Sequence, residues 1–151
     1  MEPLGSLNIE LTGKDFERAL LPQGQQLLQV VSGAIEPNKR GDNYNLVVML
    51  TNANPTPSSK DGIMVDAGAA KLRTYNNIMQ TDGQKNAGVD PLEGVCQVID
   101  AVFKCDPSGR PNLNADTAAG MAGNQVIGII VHDDDPTYGK QARVARLLPV
   151  E

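Results

Sequence analysis

Lys71, Arg73 and Tyr75 alternate along the chain, so in an extended segment their side chains stand on one face. Two cations beside a flat ring is a pairing suited to single-stranded nucleic acid: phosphates meet the charge and bases meet the ring. Lys39-Arg40 falls in a turn cluster, where a hairpin tip can close over a bound strand. Lys140, Arg143 and Arg146 follow Tyr138 near the end of the chain. Arg143 and Arg146 have opposite parity, so they share a strand face only if a bulge intervenes. Tyr44 reads equally as a stacking ring or as an ordinary core residue. Any one of these pairs alone reads as solvated surface charge; together, on a fold with a concave face, they read as a binding surface. Aromatic residues are only 3% of the chain, so affinity should lean on phosphate contacts and weaken as salt rises.

Other chemistry finds less support. His132-Asp133-Asp134-Asp135 has the residue types of a metal site, but neighbours at a strand end point in alternating directions. No second His or Cys stands at ligand spacing, so the stretch reads as a charged turn. His132 is the only histidine, and there is no G-x-S-x-G elbow with which it could form a triad. Neither a GxxxxGK[ST] phosphate loop nor a dinucleotide glycine pattern is present. Ala118 to Gly123 reads as flexible small-residue chain. Cys96 and Cys105 are too few and wrongly spaced for a disulfide framework, and Cys96 is expected in the core. A protein with no enzymatic activity and no cofactor is the expectation. The net charge of -5 argues against coating duplex DNA by bulk attraction, though not against a local basic groove.

The elements that must position these residues are mostly strands. Fifteen glycines and ten prolines in 151 residues imply many turns, and no apolar run approaches a membrane span. Neither a span nor a signal pattern is read, so a soluble, cytoplasmic protein is expected. Residues 1–20 read as a polar lead-in with one short helix near 15–20, and 21–151 as a single domain. Residues 26–35 and 44–51 read as the strands of a hairpin, with Tyr44, Leu46, Val48 and Leu50 on one face. A mobile loop is expected at 52–60. The segment 62–79 fits either a strand or a helix, and extended structure is favoured. Asp90-Pro91-Leu92-Glu93 carries the signature of a helix start, with Asp90 as cap, Pro91 in the first turn and Glu93 closing the box. Leu92, Val95, Cys96, Ile99, Val102 and Phe103 then share a face of a helix spanning 90–103. Residues 124–131 read as a central strand, 133–139 as a turn and 140–148 as a last strand. Three strands, one helix and two strands is the order of a five-stranded OB-like barrel, with the helix capping it between the third and fourth strands.

Leu21-Pro22-x-Gly24 before a strand and Lys39-Arg40-Gly41 before the next resemble the opening of a phage family first catalogued without a function. The close is similar too: Val126 to Val131, Tyr138-Gly139-Lys140, then Arg143-Val144-x-Arg146-Leu147-Leu148-Pro149. Members of that family are OB-fold single-stranded-DNA-binding proteins of replication and recombination modules. The resemblance spans roughly 20–149 and implies the same activity here, in a bacterial host cytoplasm, alongside replication or recombination proteins. This chain has few aromatics and longer loops at 52–62 and 105–123. A capsid-associated or protein-interaction module is the competing expectation. An exposed edge strand would also suit a homo-oligomer.

Overall fold

One strand of 14 residues, β1 (Gly24–Pro37), organises the sheet. The structure is a computed structural model that describes residues 4–6, 8–10, 20–78, 88, 90, 92–137 and 139–150. Residues 11–19, which hold most of the expected short helix, lie outside that description, as do Pro91 and Tyr138. The remaining strands are β2 (Tyr44–Asn52), β3 (Thr56–Pro57), β4 (Met64–Val65), β5 (Leu72–Asn77), β6 (Gln125–Asp135) and β7 (Gly139–Pro149). Between β5 and β6 lie α1 (Leu92–Phe103) and the short α2 (Ala115–Ala119).

The chain is mainly β, with an antiparallel five-stranded sheet in the order β5-β2-β1-β6-β7. Residues 24–29 of β1 pair with β6, and residues 28–37 pair with β2. A bulge at Val31 interrupts the pairing with β2, and a bulge of this kind sharpens the bend of a strand. The ends of the sheet, β5 and β7, approach one another, but no ladder joins them among the described residues. The sheet is therefore not closed into the barrel that the element order led us to expect.

One face of the sheet is the core. Leu28, Val30, Leu46, Val48, Leu50, Leu72, Val126, Ile130, Val144 and Leu147 all point into it. From α1 come Val95, Val98, Ile99, Ala101 and Val102. The helix begins as expected: the Asp90 carboxylate accepts from the Leu92 N–H at 2.9 Å and its carbonyl from Glu93 at 3.1 Å. Its buried face is rotated from the expected one. Leu92 is exposed while Cys96 and Phe103 are only half-buried, because Val98 and Ala101 turn inward instead. The same helix sits against both ends of the sheet. Gln97 Nε2 donates to the Leu147 carbonyl on β7, and a Cβ on Gly94 would stand 2.9 Å from Asn76 Oδ1 on β5.

Three stretches read as loop or turn are built otherwise. At 52–60 the chain forms one arm of a small β3–β4 hairpin pinned by Asn52, which is 2% exposed. Asn52 Nδ2 donates towards the carbonyls of Asn54, Val65 and Asp66 at 2.9–3.2 Å, and Oδ1 accepts from the Ala70 N–H at 3.0 Å. Ala118 to Gly123, read as flexible, includes the end of α2, where Asn114 Oδ1 caps the Thr117 N–H at 2.9 Å and Ala118 and Met121 are buried. Asp133, Asp134 and Asp135 are strand, paired with Gln141, Lys140 and Gly139, so the turn is confined to the residues between β6 and β7. Charged residues are tolerated there because this end of the hairpin runs past β1, whose pairing with β6 stops at Ile130. Changing Asn52 to Ala should cost about 3 kcal/mol, since a buried amide with several backbone partners is lost. Urea unfolding measures that cost, and hydrogen exchange should show the loss of protection centred on Ala70.

Candidate nucleic-acid interface

The second face of the sheet carries part of the candidate set. Residues 72–77 are extended with alternating burial, as favoured, so Arg73, Tyr75 and Asn77 turn outward while Leu72 is buried. The register lays them in three rows across β5, β2 and β1: Arg73–Met49–Ser32, Tyr75–Val47–Ala34 and Asn77–Asn45–Glu36. Tyr75 is 59% exposed above a buried Val47. Arg73 Nη1 donates to Tyr75 Oη at 3.4 Å. The Tyr75 hydroxyl, and to a smaller degree the Glu36 carboxylate, hold the Arg73 guanidinium more firmly protonated than usual. Lys71 precedes the strand with the same parity and is exposed. Along β5, Lys71 and Tyr75 are separated by about 13 Å at the usual rise of a strand.

Lys39 and Arg40 lie in the β1–β2 loop and are exposed. The loop has a defined shape: Asn38 N–H donates to the Asn43 carbonyl at 2.9 Å, Asn38 Nδ2 to Asp42 Oδ1 at 2.7 Å, and Gly41 takes φ of 74°. Tyr75 stands opposite Val47, three residues from the base of this loop, or about 10 Å along β2. The structure thus places Lys71, Arg73 and Tyr75 in sequence along the outer side of the sheet edge, with the exposed Lys39 and Arg40 in the loop at the Tyr75 end. Tyr44 is at the end of β2 with the core-facing parity but 51% exposed, because it lies beyond the core. It is neither a core residue nor a neighbour of Tyr75 on the outer face.

The cations of β7 are arranged differently. Ile129 pairs with Arg146 and Ile130 with Val144, leaving Ala145 as the extra residue of a bulge. Arg143 pairs with Val131, so the two arginines share the outer face despite their opposite parity. Arg143 is already engaged, its Nε donating to Asp133 Oδ2 across the hairpin. Lys140 pairs with Asp134, on the opposite face of this hairpin from Arg143. Tyr138, expected beside it, lies outside the described residues.

Several other ionisable groups have structural partners. No group of three His, Cys, Asp or Glu residues among those described could hold a metal. His132 Nε2–H donates to the Leu21 carbonyl at 2.7 Å, which ties the chain just before β1 to β6. Arg110 forks onto Asp100 with Nε at 2.7 Å and Nη2 at 2.8 Å, and this holds the Asp100 carboxyl below its usual range. Burial, then the adjacent Asp100, pushes the Cys105 thiol up, so it is poorly disposed to act as a nucleophile. No helix among the described residues is long and apolar enough to cross a membrane.

Sequence reasoning missed Met49, Asn45 and Asn77, which complete the rows around Arg73 and Tyr75. Parity within β2 marks the first two, on the face opposite Leu46, Val48 and Leu50. Comparison with protein-family models and with curated proteins finds no match for the chain.

Proposed function

We propose that this chain is an OB-type single-stranded-DNA-binding protein of low sequence specificity, without enzymatic activity, serving a phage-type replication or recombination module. The observation that carries the reading is the outward pair Arg73 and Tyr75 on β5 with exposed Lys71 just before it, near the β1–β2 loop that holds the exposed Lys39 and Arg40. The sheet order supports the OB part: closing β5 onto β7 would complete a five-stranded barrel of that topology. In this reading α1 takes the place of the missing ladder, through Gln97 on β7 and the close approach of Gly94 to β5. Phosphates meet Lys39, Arg40, Lys71 and Arg73, and one base stacks on Tyr75. The phage-type setting rests on the sequence resemblance.

Titration of a labelled oligo-thymidine strand against salt tests the proposal. Binding should weaken with a slope of roughly -0.7 in log K against log salt for each neutralised phosphate, and duplex should compete poorly. A protein-interaction module is favoured instead by the exposed Ile63 and Met64 at the β3–β4 hairpin. Absence of binding at low salt would select it.

A further inference from the structure

The pair Arg143–Asp133 has a consequence for how a strand would be held. Arg146 and Arg143 lie opposite Ile129 and Val131 on β6, so they stand about 7 Å apart on one face, a spacing that successive phosphates of an extended strand can span. Both are exposed. Among the described residues no acid pairs with the exposed Arg146 guanidinium, whereas Asp133 occupies the Nε side of Arg143. The ion pair is solvent-exposed, with side chains 57% and 50% accessible, and such pairs contribute little stability in water. A phosphodiester offers the same guanidinium two acceptor oxygens and a full negative charge.

We propose that Arg143 and Arg146 form a second phosphate station on the outer face of β7, and that Asp133 is its internal competitor. In the free protein the Asp133 carboxylate stands where a phosphate oxygen would, keeping Arg143 in a receptive posture while lowering its net attraction for the strand. This rests on the single-strand-binding reading above and adds to it the β7 lane and the residue that tunes it. Asp133 is then a positioning residue: it acts on the ligand through Arg143.

The test compares Asp133→Asn with Asp134→Asn, using a labelled oligo-thymidine strand across a salt series. Both changes remove one negative charge, and the two residues are neighbours on β6, but Asp134 pairs with Lys140 on the other face. Asp133→Asn should tighten binding several-fold at low salt and steepen the slope by about 0.7, the increment for one further phosphate. Asp134→Asn should leave the slope unchanged. Adding Arg143→Gln to Asp133→Asn should abolish the gain, and Arg146→Gln alone should make the slope shallower. Equal effects of the two aspartate changes, or a gain that survives Arg143→Gln, would overturn the β7 station while leaving the β5 interface standing. If the unmodified protein and every variant leave the oligonucleotide free at low salt, the binding reading itself fails and this proposal falls with it.

Discussion

Gly33→Ala is expected to destabilise the protein by about 3 kcal/mol, although alanine is ordinarily the better strand residue by about 0.5–1 kcal/mol. The sign reverses because α2 rests directly on β1 at this position. A Cβ on Gly33 would stand 2.4 Å from the Ala118 carbonyl oxygen and 3.2 Å from Met121 Sδ. The nearer atom is backbone, in a helix fixed by the Asn114 cap, so relief requires the whole of α2 to lift. Ala118 and Met121, both fully buried, would lift with it. Gly128→Ala is the informative contrast. Its Cβ would also meet an atom at 2.4 Å, but that atom is Leu28 Cδ1, the end of a rotatable side chain. Leu28 can turn at the expense of some packing, so about 1 kcal/mol is expected. Urea midpoints of the two variants at equal slope decide the matter. Equal losses would mean that α2 yields as readily as a leucine side chain.

The same contact shows what a sequence exposes and what it hides. Alternation in β2 and in 72–77, and the Asp90 cap of α1, are local signals, and local signals are enough for β2, β5 and α1. α2 has five residues, too few for an apolar period to declare itself, and its small buried residues look like linker. Its one advertisement is Asn114 with Thr117 three residues on, a cap pattern that is easy to pass over. Asn52 looks like the first residue of a polar loop, yet its amide holds the next eighteen residues in place through contacts the chain order does not reveal. The buried helix face differs from the periodic one by a fraction of a turn because the periodic pattern does not say which neighbours, β5 and β7, the helix must fill between.

The site shows the same division. Lys71, Arg73 and Tyr75 were legible because their alternation is a property of any extended segment. The joint exposure of Arg143 and Arg146 depends on one extra residue, Ala145, and nothing in the residue types marks where a strand will bulge. Pairing of Arg143 with Asp133 depends on register, which the hairpin turn sets and the sequence pattern leaves open.

Replacing Lys71 and Arg73 together by Ala should weaken oligo-thymidine binding about 25-fold at 0.1 M salt, whereas replacing Tyr75 should weaken it at every salt concentration. The two arms follow different physics. Each phosphate contact on a single strand contributes a slope of roughly -0.7, hence about a factor of five between 1 M and 0.1 M salt. Two such contacts multiply to about 25, and the loss should vanish as salt approaches 1 M. Stacking on Tyr75 is worth about 1–3 kcal/mol and releases no counterions, so Tyr75→Ala should displace the line of log K against log salt without tilting it. Tyr75→Phe keeps the ring and should retain most of that stacking, although the acceptor at 3.4 Å from Arg73 Nη1 is lost. Lys71, Arg73 and Tyr75 are all exposed, so the folded state should tolerate the changes and the urea midpoint should hardly move. A tilt caused by Tyr75→Ala, or a parallel displacement caused by the double change, would show that the ring and the cations do not divide the strand between them in this way.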